Sequence, residues 1–297
     1  MKTKTLYALV IFAIGLMWGC SGNNVRRNAE SSLVKLGKPN FEGEYEKNDK
    51  GGNVSLKLLS KVPNEIIDDD EWLLRYAHGM EQRVNYAFTP GGNRASQELR
   101  DLVPLTCGGL YRRSVDVMGE YNVIYYGPRC EYDDFGIDPT LIVVTDESIK
   151  EVLYTFDFSQ FSVSHYASGD FASCAQISVY GVVIDDNTLY ACVSHPTYSN
   201  TTAGYNAYLV AIDLKTSTYK WISRPLTCNS SFCIYKDVIF TGYGFTAEPD
   251  YIYVLDKETG NRIYSYKLDK APGYFSVIDD KLHVRTYSFD YSFQIVD

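Results

Sequence analysis

The strongest constraint on this chain is a hairpin pattern that recurs along its second half. In Tyr208–Trp221 an apolar run ends at Asp213, a short polar turn follows, and the chain returns with aromatic residues. β-Branched and aromatic residues on both sides of a polar break predict a β-hairpin. Tyr251–Tyr266 repeats this pattern with Asp256, and Gly260 lies where the turn needs a positive φ.

The same pattern occurs twice more, in Leu141–Phe156 with Asp146 and in the first half of the unit at Phe293–Asp297. The four aspartates, at positions 146, 213, 256 and 297, are separated by 67, 43 and 41 residues. A repeat of about 40 residues that holds several strands is typical of a propeller blade. We therefore interpret Asp146, Asp213, Asp256 and Asp297 as structural residues that close turns.

A second hairpin precedes each aspartate hairpin, so one repeat holds four antiparallel strands. These hairpins are Ser114–Tyr126, Val182–Cys192, Cys233–Thr241 and Phe275–Val284. The sequence thus predicts an all-β fold, a β-propeller of four-stranded antiparallel blades with five or more blades and a short N-terminal α/β insert. Because a propeller closes its ring, we expect a strand within Phe41–Leu59 to complete the blade of Phe275–Asp297.

The first residues have the features of an export signal. Lys2 and Lys4 precede an apolar run, Leu6–Trp18, that is too short to span a bilayer comfortably. Gly19-Cys20 at its end resembles the lipobox of bacterial lipoproteins, which implies that Cys20 is lipidated and that the chain faces the periplasm from the outer membrane. The alternative is an ordinary signal peptide with a chance cysteine.

This interpretation divides the chain into three parts. Residues 1–19 are the lipoprotein signal peptide, and residues 20–40, which are polar and lack periodicity, are a tether. Residues 41–297 form the propeller domain, in which 41–106 is irregular and 107–297 carries the recognisable repeats. Within the irregular part, Asn93–Leu102 has helical spacing and stops before Pro104.

The charge of the chain excludes some partners. Removal of residues 1–19 takes away two lysines, so the formal net charge of −9 becomes −11. Such an acidic chain repels phosphate backbones and anionic lipids, which argues against nucleic acid and leaves the N-terminal lipid as the attachment to a membrane.

Six cysteines remain when Cys20 is set aside, and an even number in an exported chain suggests disulfides. Pairing neighbours in sequence predicts Cys107–Cys130, Cys174–Cys192 and Cys228–Cys233. Small buried cysteines without partners are the alternative. A metal site is not predicted, because no Cys-X2-Cys pair occurs and the four histidines lie far apart.

The aspartate hairpins resemble the repeat of quinoprotein-type propellers, through Leu209–Trp221 and Ile252–Tyr264. Quinone-dependent dehydrogenases share that repeat with non-catalytic scaffolds, including the lipoprotein propeller of the outer-membrane assembly machinery. The dehydrogenases use adjacent cysteines beside the quinone, and this chain has no Cys-Cys pair. We therefore predict no cofactor.

Other candidates for chemistry are sparse. His165, His195 and His283 are isolated, and the pairs Asp185-Asp186 and Asp279-Asp280 lie in predicted turns. The aromatic stretches Tyr198–Tyr208 and Tyr287–Phe293 would suit either a binding rim or packing between blades.

Two functions follow from these features. The first is a lipid-anchored periplasmic propeller that binds protein partners or envelope components, glycans included, as a scaffold. The alternative is a hydrolase or lyase that acts on glycans or peptides at the axial face, which requires two carboxylates from adjacent blades. No catalytic residue is predicted.

Overall fold

The computed structural model describes residues 25–30, 32–36, 51–65, 71–72, 76, 86–87, 95–129, 138–162 and 177–296. The chain separates into two compact units, Met1–Lys35 with Gly91–Asp157, and Leu36–Pro90 with Phe158–Asp297. Among the described residues, no helix has the length and hydropathy needed to cross a bilayer.

The first unit contains one six-stranded sheet, here called sheet I, with strand order β1-β8-β7-β6-β5-β4. Its strands are β1 (Leu33–Lys35), β4 (Thr106–Cys107), β5 (Leu110–Met118), β6 (Tyr121–Gly127), β7 (Leu141–Asp146) and β8 (Val152–Asp157). Strands β5 to β8 form an antiparallel meander, and β1 is added in parallel to the outer edge of β8. The predicted helix is α1 (Gln97–Leu102), where the Ser96 Oγ accepts the Leu99 N–H at 3.2 Å.

The second unit contains three sheets. Sheet II is β9 (Ser178–Asp185), β10 (Thr188–Ser194), β11 (Tyr208–Asp213) and β12 (Thr218–Ile222). Sheet III is β13 (Phe232–Tyr235), β14 (Val238–Tyr243), β15 (Asp250–Asp256) and β16 (Arg262–Leu268), with β3 (Tyr86–Ala87) beside β13. Sheet IV is β17 (Pro272–Ile278), β18 (Lys281–Thr286), β19 (Phe289–Val296) and β2 (Ser55–Pro63).

The predicted fold class is confirmed by these sheets. Sheets II and III each consist of two consecutive hairpins whose spatial order follows the chain, as a four-stranded propeller blade requires. Four sheets are described, and much of the irregular part 41–106 lies outside the described residues. The number of blades therefore stays a prediction.

An N-terminal strand completes the last blade, as expected, although it extends to Pro63, beyond the predicted range Phe41–Leu59. Strand β2 pairs antiparallel with β19 from Val296↔Ser55 to Phe289↔Pro63. Leu56 lies within the core of this sheet, whereas most of β2 is exposed. The C-terminal strand β19 is therefore not an edge strand, because a segment more than 200 residues away in sequence covers it.

Two tight hairpin turns lie at the aspartate pairs Asp185-Asp186 and Asp279-Asp280, as predicted. Asp186 and Asn187 have φ of 45° and 60°, and Asp279 and Asp280 have φ of 49° and 56°. Two consecutive left-handed residues form a type I′ turn, whose twist matches that of the flanking strands. Asp and Asn tolerate this conformation better than other side chains that carry a Cβ.

The cores of the second unit lie on the two faces of sheet III. Strand β15 alternates, so that Ile252 and Val254 pack toward sheet IV while Tyr253 and Leu255 pack toward sheet II. A strand buried on both faces has no polar side, which accounts for its almost continuous apolar sequence. Sheet III is therefore the central layer of the three.

Part of the segment interpreted as a tether is folded against sheet I. Residues 25–30 are helical, and Val25 and Ala29, one turn apart, are 2% and 1% exposed in a core with Val103. Residues 33–35 then form β1. The polar composition hid this structure, because a short helix needs only two apolar residues at i and i+4 to bury one face.

Trp221 of sheet II packs directly onto Gly260 of sheet III. The indole Nε1 donates to the Lys257 carbonyl at 3.1 Å. Gly260 has φ of 68°, and a Cβ there would lie 2.4 Å from the Trp221 Cε3. Only glycine satisfies both the left-handed backbone and the close approach of the ring.

This contact predicts a non-additive pair of substitutions. We expect Trp221→Ala to cost about 3–5 kcal/mol of unfolding free energy through the cavity that it leaves. Gly260→Ala is expected to cost more than the roughly 1–2 kcal/mol of left-handed strain, because the added methyl meets the indole. In the double variant that clash is absent, so urea unfolding should give a smaller loss than the two single losses together.

The matched control is Gly204→Ala. Gly204 has φ of 83°, but no atom lies within 4 Å of an added Cβ, so this variant measures left-handed strain alone. Equal losses for Gly204→Ala and Gly260→Ala, with additivity to Trp221→Ala, would contradict the contact.

Candidate functional site

The repeat aspartates close the outer hairpins of three sheets. The Asp146 Oδ1 accepts the N–H groups of Lys150 and Glu151 at 2.7 and 2.8 Å. The Asp213 Oδ1 accepts those of Lys215 and Thr216 at 2.8 and 3.0 Å. These carboxylates are occupied by their own turns, and backbone N–H donors hold the pKa of Asp213 below its ordinary value, that of Thr216 first.

Asp256 has the same arrangement. Its Oδ1 accepts both the N–H and the hydroxyl of Thr259, at 2.8 and 2.7 Å. The left-handed residue of this turn is Gly260, whereas Ser217 has φ of 56° in the Asp213 turn. Asp297, the fourth aspartate of the series, lies outside the described residues, as does the lipidation candidate Cys20.

Sequence reasoning missed a bulge that follows these turns. The ladder shifts by one residue between Val144 and Thr145, Ala211 and Ile212, and Val254 and Leu255. In the outer strands, the bulge places Tyr154, Trp221 and Tyr264 at equivalent positions, each eight residues after its aspartate. The common spacing of eight residues was the signal in the sequence from which these positions could have been found.

The paired carboxylates serve the hairpins and the contacts between sheets. The Asp185 Oδ2 lies 3.1 Å from the Lys257 Nζ, which joins sheet II to sheet III. Asp280 accepts a hydrogen bond from the hydroxyl of Tyr235, which joins sheet IV to sheet III. These acids therefore have structural partners on the neighbouring sheet.

The described histidines lie in different sheets. His195 follows β10 and is fully buried, and its backbone N–H donates to the Asn206 Oδ1 at 2.7 Å. The His283 Nδ1 is 2.9 Å from the Ser292 Oγ, and burial lowers the pKa of this imidazole. His165 lies outside the described residues. Within the described part of the chain, no group of three or more His, Cys, Asp or Glu side chains is arranged to hold a metal ion.

The aromatic stretches divide between packing and exposure. Tyr208, Tyr291 and Phe293 are buried within the sheets. Tyr198 is 39% exposed and its ring centroid lies 5.0 Å from that of Phe245, whereas Tyr287 is 87% exposed. Most of these rings therefore belong to the core, and Tyr287 projects into solvent.

The structure does not bring Cys228 and Cys233 together for the predicted disulfide, and both residues are free thiols. Cys233 belongs to the core between sheets III and IV, whereas Cys228 belongs to the core between sheets II and III. The two side chains thus lie on opposite faces of sheet III, and closeness in sequence does not bring them together.

Each of the other two predicted disulfides has one cysteine outside the described residues. Cys107 and Cys192 are also free thiols, and burial raises the pKa of Cys107 to about 11. Their predicted partners, Cys130 and Cys174, lie outside the described residues. Cys107–Cys130 and Cys174–Cys192 therefore stay predictions.

Strand β2 carries a surface of exposed apolar side chains, here called the β2 surface. It consists of Leu58, Leu59 and Val62, which are 41%, 50% and 43% exposed. Lys57 precedes them and Lys61 lies between Leu59 and Val62, and Lys61 forms an ion pair with Asp269. Because β2 is the terminal strand of sheet IV as described, this surface lies along a sheet edge.

Comparison with known proteins gives similarities to solved structures only. No family model and no curated protein matches the chain. The quinohemoprotein alcohol dehydrogenase ADHIIG of Pseudomonas putida HK5 is 14% identical over 58% of this chain and 27% of that chain, with a TM-score of 0.38. BamB from Moraxella catarrhalis is 11% identical over 61% of this chain and 71% of that chain, with a TM-score of 0.33.

The quinohemoprotein alcohol dehydrogenase of Comamonas testosteroni is 16% identical over 52% of this chain and 20% of that chain, with a TM-score of 0.33. This chain thus spans about a quarter or less of either dehydrogenase that it matches. Similarities of this size say nothing about its activity or its partners.

The Asp213 turn gives a prediction about pH. Asp213→Ala should lower the melting temperature by a few degrees, because two N–H donors lose their acceptor. Asp213→Asn should lower it less, since the amide oxygen still accepts these bonds. The folded-state pKa of Asp213 is lowered, so its charge-dependent stability is present above about pH 4 and is lost as the pH falls further.

Melting curves of the wild type and Asp213→Asn should therefore converge as the pH falls below about 4. Asp186→Asn is the matched control, because Asn also suits the left-handed position of that type I′ turn. A wild-type advantage over Asp213→Asn that grows on acidification would contradict the proposed role of the carboxylate.

Proposed function

We propose that this chain is a lipid-anchored periplasmic propeller that binds a protein of the cell envelope as a scaffold. In this proposal Cys20 carries the lipid, the outer membrane holds the anchor, and the partner docks on the β2 surface. A glycan partner, and a hydrolase or lyase acting at the axial face, are the alternatives that the experiments below address.

The observation that carries this proposal is the contrast between the acids and the apolar side chains. Asp146, Asp213 and Asp256 are occupied by their own turns, and Asp185 and Asp280 bond to neighbouring sheets. The β2 surface, in contrast, leaves three apolar side chains in water. Covering such side chains is favourable by about 25 cal/mol for each Å² removed from water.

The position of β2 adds a second source of affinity. Within the described part of the chain, no strand pairs with the outer edge of β2, so a partner segment can extend sheet IV there. Side chains of the incoming strand would contact Leu58 and Leu59, which lie at a bulge where the register between β2 and β19 shifts by one residue. Backbone hydrogen bonds between β2 and the partner strand would supply affinity, and the contacts of the leucines would supply specificity.

A charge substitution tests the binding surface. Leu59→Lys should weaken partner binding by about tenfold or more, because an ammonium replaces a side chain worth roughly 1.5–3 kcal/mol when buried. The measurement is quantitative mass spectrometry of proteins captured on the tagged chain from detergent-solubilised envelopes, followed by titration of the protein whose recovery falls. Melting temperature should be unchanged, because Leu59 is half exposed.

Leu105→Lys is the matched control, since Leu105 is 71% exposed but belongs to the first unit. Equal capture by the wild type and Leu59→Lys would overturn docking on the β2 surface. If soluble glycans compete for binding and Tyr287→Ala abolishes it, the partner is a glycan.

A second experiment tests the anchor. Cys20→Ala should move the folded chain from the membrane fraction to the soluble periplasm, because its net negative charge does not favour binding to anionic lipids. Binding to the captured partner in solution should be unchanged, while recovery from intact envelopes falls through lost local concentration. A variant that stays in the membrane after a salt wash would contradict lipidation as the sole anchor.

The enzyme alternative has its own decisive outcome. Turnover of an envelope glycan or peptide by the purified Cys20→Ala chain, abolished by substituting a carboxylate, would replace the scaffold proposal with the hydrolase or lyase.

A further inference from the structure

Cys192 and Cys228 lie side by side in the core between sheets II and III. Cys192 is on β10, opposite Leu209 of β11. Cys228 follows β12, and its backbone N–H donates to the carbonyl of Ala207 at 3.1 Å. Because Ala207 and Leu209 both pack in this core, the two cysteines flank one short segment of chain on one face.

The Cys192 thiol reaches the backbone of Cys228. The Cys192 Sγ donates to the Cys228 carbonyl at 3.2 Å, and the Cys228 Sγ donates to the Ser231 carbonyl at 3.8 Å. The pKa of Cys192 is raised by burial first and then by the neighbouring Cys228 thiol. Both residues are 0% exposed. Their closeness is fixed by backbone pairing on either side, not by flexible surface loops.

Cys233 has no part in this contact, although it is only five residues from Cys228. It packs on the other face of sheet III, among Phe240 and Phe275. The arrangement thus selects Cys192 as the partner of Cys228, a pairing that spacing along the sequence did not suggest.

We propose that Cys192 and Cys228 form a disulfide in the mature protein. The two thiols lose two protons and two electrons, and an S–S bond forms between the Sγ atoms. The disulfide of a periplasmic oxidase, or glutathione disulfide, accepts the electrons and protons by thiol–disulfide exchange, and it becomes a protein dithiol or two glutathione thiols, respectively. The supply of oxidant in the cell rests on the proposed export of the chain, whereas the choice of partners does not.

The bond has to form before the core closes. Exchange requires a thiolate that an oxidant can reach, and both thiols are fully buried once sheets II and III are packed. Burial also raises the pKa of Cys192 in the folded chain, which suppresses its thiolate. A bridge formed during folding would therefore be protected from reduction, and a chain that folds in the reduced state would not react with the oxidant.

The bond would tie β10 to the segment that leads from β12 into β13. Sheets II and III are consecutive in the chain, so this link would cross the connection between them. It would restrict the unfolded chain over the residues from 192 to 228.

Oxidative refolding of the full chain tests the choice of partners without reference to the cell. The purified chain is reduced in urea, refolded in a glutathione redox buffer, alkylated and digested under non-reducing conditions. Cleavage before Asp185 separates Cys174 from Cys192, and cleavage after Phe232 separates Cys228 from Cys233. The expected result is one linked peptide pair that contains Cys192 and Cys228.

Recovery of Cys174–Cys192 or Cys228–Cys233 links, or of alkylated Cys192 and Cys228, would overturn the proposal. The same mapping on chain alkylated during lysis of cells reports the state in vivo. A bridge after refolding together with free thiols in cells would instead indicate that export, and so the proposed location, is wrong.

Variants separate the bridge from a packing role. The oxidised wild type should melt about 5–10 °C above its reduced form. Cys192→Ser, Cys228→Ser and the double variant should each show a smaller difference between the oxidised and reduced forms than the wild type. Cys233→Ser, in which an equally buried thiol of the same strand region is removed, should keep it. A wild type that melts at the same temperature in both states would contradict the bridge.

Discussion

The packing of an indole onto a glycine in the next sheet fixes how two blades of this protein meet. Trp221 lies near the end of β12, the outer strand of sheet II. Its Nε1 donates to the Lys257 carbonyl in the outer hairpin of sheet III. The left-handed Gly260 permits the approach, and the turn that contains Gly260 is closed by Asp256. One aspartate therefore shapes the turn that receives the tryptophan of its neighbour, so local turn chemistry and packing between sheets are coupled.

The features that the sequence predicted well are those set by nearby residues. Alternating apolar runs and polar turns indicated the hairpins, and Asn93–Leu102 contained the observed helix α1. Closure by β2 was also predictable, because a final blade with three strands requires a fourth from elsewhere. Each of these inferences needs only periodicity, turn chemistry or the requirement that a sheet edge be covered.

What could not be predicted depends on which face of a sheet a side chain occupies. Cys228 and Cys233 are close in sequence, but the odd spacing and the intervening loop put them in different cores. The packed helix at residues 25–30 was missed for a related reason, since Val25 and Ala29 give almost no hydrophobic signal until the core that receives them is known. Bulges, which shift faces by one residue, are invisible to a period-2 pattern.

The packed helix at residues 25–30 also limits how far the first unit could lie from a lipid on Cys20. Only residues 21–24 separate Cys20 from Val25, whose side chain is 2% exposed in the first unit. Five residue steps span at most about 17 Å even when fully extended. A lipid on Cys20 would therefore keep this unit within one protein radius of the bilayer surface. Proteins embedded in the same membrane would then be at a high local concentration around this unit, whereas soluble proteins would be diluted over the whole compartment.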